Sequence, residues 1–488
     1  MSAIVQRIHN HAREMIVIRD PQTGEDVGAL PEAVPLHVRK AVNAARAALQ
    51  GWAATLPAER GASLRVAARA LAEAAPELAR MNNRETGRPV DEALAGIAAG
   101  VSTLEQYAEL GPVHRGHSLR GNPLASDYTI AEPRGVAVVL TPWNDPVAVA
   151  CGLIGAALVT GNTVVHKPSE RCPHLGAMLG EILGAAFPPD VLISLTGGSG
   201  VGALLTEQTG VDVVAHVGSS AAGARIARAS NLTGAHVIRE NGGNDPLVVD
   251  DDVDPVWAAE QAAVGAFSNS GQICTAVERI YVHRAIAGPF CAALESQARR
   301  RNLDGNLAPL VDVRMREMVH RQVADALESG ARAVEGGSVP AGPGAYYPAT
   351  VLLDCTADMD IMTEETFGPV APVQVVDSFD EGLRLAAGGR YGLAATVLTG
   401  RIAHAQQAIA ALPVGTVKIN EVFGGAPGGA AQPRGDSGHG FGYGPELLDE
   451  FTRVKVVHLA APPPASTAVA AAAADVVEAD AVERREAW

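Results

Sequence analysis

Aromatic residues are scarce in this chain: Phe, Trp and Tyr make up 4% of 488 residues, although apolar residues reach 47%. Ala, Val and Leu must fill the cores. Cysteine is sparse too. Five residues, an odd set, argue against a disulfide framework and for a reducing compartment. Basic charge is in deficit, with Lys+Arg 38 against Asp+Glu 54 and a formal net charge of −16, and no basic stripe is present. Phosphate contact needs clustered Lys and Arg, so nucleic-acid binding is excluded. The N-terminal MSAIVQRIHNHAREM has His, Arg and Glu where an export signal needs an apolar core, so a cytoplasmic protein is expected. The uncharged run 146–165 has about the length of a membrane span. Gly152, Gly155 and the turn Thr160-Gly161-Asn162-Thr163 divide it, so a buried helix, a turn and a buried strand are expected, without membrane contact. No HExxH and no paired Cys/His spacing marks a metal site, and no internal repeat is visible.

What is present is punctuation: 52 Gly and 31 Pro suit many short elements joined by tight turns. The first hundred residues read as helical, with amphipathic runs over 38–52 and 59–81. From Tyr128 the period changes. Short apolar strands at 136–140, 163–166, 191–195 and 213–217 alternate with helices at 147–158, 175–185, 201–207 and from Ser219. Strands unbroken by polar residues indicate an α/β fold with a parallel sheet covered on both faces. Such sheets bind ligands beyond the carboxyl ends of their strands. A second α/β series starts near Pro246, with a helix at 255–267, a strand at 279–282 and a helix at 286–299. Residues 424–444 are glycine-rich, 450–459 alternate like a strand, and 461–488 are low in complexity and read as a disordered or loosely helical tail.

Two motifs are read as decoys. Gly197–Gly202 follows a strand and opens a helix, but its spacing is not GxGxxG, and a tight turn explains it. Gly435-Asp436-Ser437-Gly438 resembles a serine-protease nucleophile loop, which would need a β-barrel and usually disulfides. His9, His11, His114 and His117 read as surface residues, and Cys151, Cys172, Cys291 and Cys355 as structural fillers.

Four separated segments join polar groups to turn glycines: Thr141-Pro142-Trp143-Asn144-Asp145-Pro146, Arg239-Glu240-Asn241-Gly242-Gly243, Ser270-Gly271-Gln272-Ile273-Cys274-Thr275-Ala276, and Glu364-Glu365-Thr366-Phe367-Gly368-Pro369. With Glu85-Thr86-Gly87-Arg88-Pro89 and His166-Lys167-Pro168-Ser169-Glu170, they resemble the aldehyde dehydrogenase superfamily of the hydrolytic, NAD(P)-dependent type. The resemblance runs from about Val38 to Leu459, with 34 residues from Glu240 to Cys274 and 23 from Asn144 to Lys167.

The resemblance implies a Rossmann-type cofactor domain (1–113 and 134–242), a catalytic domain (243–430), a small β oligomerisation arm (114–133 and 445–460) and the tail 461–488. It implies a homodimer or homotetramer acting on a small-molecule aldehyde. Cys274 would be the nucleophile, because a thiolate adds readily to a carbonyl and later leaves well. The Asn144 amide and the Cys274 backbone N–H would stabilise the oxyanion of the thiohemiacetal. Hydride loss to the nicotinamide would leave a thioester, and Glu240 would draw a proton from the water that hydrolyses it, with ionisation of Cys274 as a further role open to it. Lys167 and Glu365 would hold the ribose hydroxyls of one polyol, while Trp143 and Phe367 pack beside the nicotinamide. Gly218 and Ser219 would offer free N–H groups to the pyrophosphate. Glu170 would accept from the adenosine 2′-hydroxyl and repel a 2′-phosphate, so NAD is expected over NADP, with NADP as a secondary cofactor.

The chain also departs from the family. Asp145 replaces a common aromatic after Asn144, Gly152 replaces another eight residues after it, and Ala426-Pro427-Gly428-Gly429 replaces Pro-Phe-Gly-Gly. These rings commonly line the aldehyde tunnel, so a widened tunnel and a bulky or polar substrate are expected. Arg239 could pair with Glu240 or face away from it. The loop 435–444 is longer than usual and reads as mobile. Two rival readings remain: a CoA-acylating relative, which would commonly lack Glu240, and a catalytically silent structural relative.

Overall fold

The apolar runs that read as strands are strands, buried at every residue in Val136–Leu140, Thr163–Lys167 and Val213–Val217. These belong to a computed structural model that describes residues 14–305, 307–424, 429 and 431–462. The expectations for residues 463–488 and for most of 426–429, like those for His9 and His11, lie outside the described residues.

A six-stranded sheet has the order Gly438–His439, His236–Glu240, Val213–Val217, Val136–Leu140, Thr163–Lys167, Leu192–Ser194. Every pair is parallel except the first. From Val136–Leu140 the chain builds outward to one side, then returns to build Val213–Val217 on the other. That reversal opens a crevice at the carboxyl ends of the two central strands. The helices Pro35–Ala54, Ser199–Thr206 and Ser220–Thr233 bury Val42, Leu205 and Ile226 against Val138 and Val214. The helices Pro57–Thr86, Pro146–Val159 and Pro173–Gly184 cover the opposite face, packing Leu64, Leu153 and Leu175 with Val139 and Ala215.

A seven-stranded sheet follows, in the order Arg332–Glu335, Thr350–Leu353, Val370–Val376, Val277–His283, Asp245–Val249, Ala394–Leu398, Thr416–Ile419. Only its first pair is antiparallel. The helices Pro255–Phe267 and Arg284–Asp304 pack on one face, and Val313–Glu328, Phe379–Ala386 and Ile402–Ala411 on the other.

Two expectations are corrected. The N-terminal region is not all helical: Met15–Arg19 and Asp26–Pro31 form an antiparallel hairpin, turned at Gly24 with φ +77°. A five-residue segment such as Met-Ile-Val-Ile-Arg, apolar at four positions without alternation, is too short to stand out beside the Ala-rich helices after it. The second helix runs to Thr86, because Gly87, at φ +77°, is the first residue able to end it in the left-handed conformation. The uncharged run 146–165 is a 14-residue helix, a turn and a strand as expected, and among the described residues no helix is long and apolar enough to cross a membrane.

A second unit consists of Arg115–Glu132 and the chain from Val454. Ser118–Leu119 pairs antiparallel with Ala125–Pro133 in a three-stranded sheet completed by Thr452–Ala460. Glu132 pairs with Lys455, and Asp127 with His458 at 2.5 Å. Residues up to Arg453 belong to the first unit, where Leu447, Leu448 and Phe451 are fully buried.

Candidate active site

Cys274 sits on the loop between the helix Pro255–Phe267 and the strand Val277–His283. Three consecutive residues before it, Asn269, Ser270 and Gly271, are left-handed at φ +46°, +54° and +72°. Two of them are not glycine, a local strain of about 1–3 kcal/mol each that the surroundings must hold. The buried Gln272 side chain holds it. Its amide donates to Asn269 O at 3.0 Å and Pro309 O at 3.3 Å, and its Oε1 accepts from Val311 N at 2.9 Å. A Cβ on Gly271 would collide with the Gly368 carbonyl, and one on Gly368 with the Val319 side chain, so the segments around Cys274 and Phe367 each need a glycine.

The Cys274 thiol points at Glu240, with Sγ 3.7 Å from Oε1. Glu240 ends the strand His236–Glu240; its Oε2 is buried without a partner, against the Gly442 backbone. Burial raises the Glu240 carboxyl. The Cys274 thiol is pushed well above its ordinary range, first by burial and then by the charges of Glu240, Asp245 and Glu365. Arg239 makes no ion pair with Glu240, and the strand's alternation turns it to the other face, which settles the open alternative.

Asn144 reaches the same loop, its Nδ2 donating to Gln272 O at 3.1 Å. The second Nδ2 proton has no partner among the described residues, and Arg88 fixes the Asn144 carbonyl at 2.9 Å. The Trp143 and Phe367 rings meet edge to face at 5.6 Å. Phe367 is held at φ +52° by Glu278, whose carboxylate accepts the N–H groups of Thr366 at 2.9 Å and Phe367 at 2.7 Å. Glu365 lies on Gly242 and accepts from Gly243 N at 3.2 Å.

At the other end, Lys167 Nζ donates to Pro168 O at 2.8 Å and Gly197 O at 3.0 Å, and lies 3.7 Å from Glu170. The glycine cluster at 197–202 thus serves as a lysine acceptor and helix entry. Lys167 and Glu365 share no partner. The structure puts Glu365 beside Gly242 and Lys167 beside Glu170. The Gly218 N–H is engaged, donating to Glu240 O at 3.1 Å. Ser219 is the N-cap, its Oγ accepting from Ala222 N at 3.3 Å, and its own N–H, like those of Ser220 and Ala221, has no partner among the described residues.

The residues at this end suit a dinucleotide. Two N–H groups open the helix Ser220–Thr233, Lys167 lies near, and both ring nitrogens of buried His216 lack a partner beside Gly218. The sequence matches the aldehyde dehydrogenase family over residues 8–457. The chain belongs to that family. It is 36% identical over 457 residues to a betaine aldehyde dehydrogenase of Cereibacter sphaeroides strain KD131, covering 91% of this chain and 93% of that one. A betaine aldehyde dehydrogenase of Staphylococcus aureus in complex with NAD+ superposes with a TM-score of 0.89 at 28% identity, covering 92% of each chain. An NADP-dependent enzyme of E. coli superposes with a TM-score of 0.89 at 30% identity, covering 92% of this chain and 95% of its own. The protein is thus an enzyme of aldehyde oxidation that uses NAD or NADP.

The enzyme's departures from its family look different in three dimensions. Asp145 is tied to Arg88, Oδ1 to Nη1 at 2.9 Å. The space at Gly152 is filled: a Cβ there would stand 2.9 Å from Cε1 and 3.6 Å from Cζ of Tyr443. Expecting the loop 435–444 to be mobile was also mistaken. Gly438–His439 pairs with Arg239–Glu240, and Asn241 bonds Ser437 O and Asp436 O, each at 2.8 Å. Ser437 itself is fully buried and accepts from Gly392 N, a structural role. Sequence reasoning missed Tyr443, His216, Arg88 and Glu278. Only Arg88 carried a signal, within Glu85–Pro89.

Proposed function

We propose that this enzyme oxidises a polar or bulky aldehyde to the carboxylic acid through Cys274, with NAD preferred over NADP. The observation that carries this is the convergence of Cys274 Sγ on Glu240 Oε1 at 3.7 Å, with the Asn144 amide on the same loop. Glu240 takes the thiol proton as sulfur bonds to the carbonyl carbon. The unpaired Nδ2 proton of Asn144 and the Cys274 N–H then meet the alkoxide, a donor set worth about 3–4 kcal/mol per good donor. When bound, the oxidised nicotinamide supplies the hydride acceptor. Glu240, having released the thiol's proton to solvent, next removes a proton from the water that attacks the thioester and passes it to the departing sulfur, so the acid leaves and the thiol is restored.

Lys167, His216 and the Ser220 and Ala221 N–H groups would hold the dinucleotide, with Trp143, Phe367 and Glu365 at its nicotinamide end. Glu170 stands beside Lys167, where a carboxylate would accept a ribose hydroxyl and oppose a 2′-phosphate. The exposed edge strand Thr452–Ala460, with Val454 70% and Val456 68% exposed, supports pairing with a second copy in a homodimer or homotetramer. Betaine aldehyde is the first substrate to try, given the relatives' names.

Stopped-flow NADH absorbance tests the chemistry. Cys274→Ala should form no NADH. Glu240→Gln should give one burst per active site and then stall as an acyl-enzyme visible by mass spectrometry. Full turnover by Glu240→Gln, or release of the stalled acyl group only by added CoA, would overturn the hydrolytic reading.

A further inference from the structure

A second opening lies at the end of the first sheet opposite the cofactor crevice. It holds about 450 Å³, inside the ~300–1,000 Å³ range of small-molecule sites. Asp212 and His236 stand in its wall, at the amino ends of the strands Val213–Val217 and His236–Glu240, whereas Gly218 and Glu240 mark the carboxyl ends of the same strands. The whole lining belongs to the first unit.

Two arginines line this space, and neither forms an ion pair among the described residues. Arg453, on the strand Thr452–Ala460, is exposed, and its guanidinium has no partner among the described residues. Arg134 spends Nε on the Glu450 carbonyl at 2.7 Å, which leaves both of its Nη groups without a partner among the described residues. The acids nearby are already engaged. Asp212, the only acid in the lining, pairs with Arg46 and accepts from Val136 N at 2.7 Å. Glu450 Oε2 is bonded to His236 Nε2 at 2.6 Å, and its Oε1 accepts from Phe441 N at 3.1 Å. Burial lowers the Arg134 guanidinium, the Glu450 charge offsets part of that, and Arg453 lowers it further. Two guanidiniums that repel one another in one concave space are costly until an anion joins them. In a chain of net charge −16 such a pocket is a local exception, and it concentrates anions that the rest of the surface repels.

The free donors define the ligand. Each guanidinium presents a planar fork that matches two oxygens of a phosphate. The exposed Thr209 hydroxyl, on the same wall, has no partner among the described residues and adds a third donor. A phosphate monoester carries about −1.5 to −2 charges near neutral pH and so balances two arginines, whereas one carboxylate would balance only one.

We propose that this pocket binds a small phosphate monoester through Arg134, Arg453 and Thr209, at a site separate from the dinucleotide crevice. The site is independent of the reaction at Cys274.

Equilibrium dialysis of labelled glycerol 3-phosphate against the full chain saturated with NAD+ tests this, because the cofactor's own phosphates then fill the crevice. One molecule should bind per chain, and more weakly as NaCl is raised. Inorganic phosphate should compete less well than unlabelled ester, and glycerol and acetate should not compete. Arg453→Gln should weaken binding by about tenfold or more, the loss of a hydrogen bond between charged groups. Arg134→Lys should weaken it too, since a point charge does not replace the fork. Should either arginine variant melt well below the wild type, Thr209→Val carries the same comparison.

Binding that is unchanged in Arg453→Gln and Arg134→Lys but lost in Lys167→Ala would place the phosphate in the crevice and overturn the site. Competition by inorganic phosphate as strong as by the ester would overturn the choice of an ester. Absence of binding would overturn the proposal outright, and a changed sedimentation coefficient in Arg453→Gln would then assign the pocket to a contact with a second copy of the chain.

Discussion

The two ends of the site handle charge in opposite ways with the same physics. Around the thiol, four acids are raised by burial, Glu240, Glu365, Glu278 and Asp245, the last to about 8, with Lys418 and Arg279 as the cations among them. Around Lys167, which has Glu170 beside it, three bases are lowered by burial: the lysine itself, His216 to about 4 and His166 to about 3. In each place burial favours the neutral form. A buried charge without a partner costs several kcal/mol, and a neutral group far less. The acid end can accept protons from a thiol or a water, and the base end can donate hydrogen bonds to a phosphate. The difference teaches that proton acceptance and anion binding have been segregated along one crevice.

The sharpest way to break the acid end is to remove the neutral donor that serves it. Asn144→Ala should lower kcat/KM by about 10²–10³-fold, the loss seen for one oxyanion donor. Iodoacetamide labelling of Cys274 should persist, because Gln272 and its three bonds hold the loop without Asn144. A fall in labelling as large as the fall in turnover would mean that Asn144 acts by positioning the loop. A smaller effect is expected at the base end. Glu170→Ala should raise the NADP-to-NAD ratio of kcat/KM by about tenfold, the removal of one unfavourable charge contact. An unchanged ratio would separate Glu170 from cofactor choice.

How much of this was legible in the sequence follows the range of each signal. Strands such as Val136–Leu140 are continuous apolar runs, and the motifs around Asn144, Glu240, Cys274 and Glu365 carry their own turn glycines, so local pattern sufficed. Tyr443 was invisible for the opposite reason. Its meaning depends on an empty position at Gly152, and no local period links the two. The Gly218 N–H illustrates a smaller failure: a Gly-Ser after a strand reads as an open helix entry, but the neighbouring strand supplies the Glu240 carbonyl to it. The hairpin at Met15–Arg19 was lost beneath the Ala-rich helices that dominate the first hundred residues.

His216 gives the mildest test, because it concerns stability before function. Both of its ring nitrogens are buried and unpartnered, on the face of the sheet lined by Val138 and Val214. Burial, opposed by the Ser219 backbone and reinforced by Lys167 and Arg239, holds its folded value at about 4 against an ordinary 6.5. The unfolded chain therefore binds a proton that the folded chain refuses. Stability from this group is complete above pH 6.5, declines as the pH falls, and is exhausted near pH 4. The full span is about 3 kcal/mol, from 1.36 kcal/mol per pH unit. His216→Phe removes the group that must charge on unfolding, so the melting temperature should drop less between pH 6.5 and 4.5 than in the wild type, and the two should differ least at pH 8. The same variant should weaken dinucleotide binding, read by quenching of protein fluorescence, if those nitrogens face the pyrophosphate. Equal acid sensitivity of wild type and variant would mean that His216 finds a partner in solution, and the contrast between the two ends would then rest on Lys167 alone.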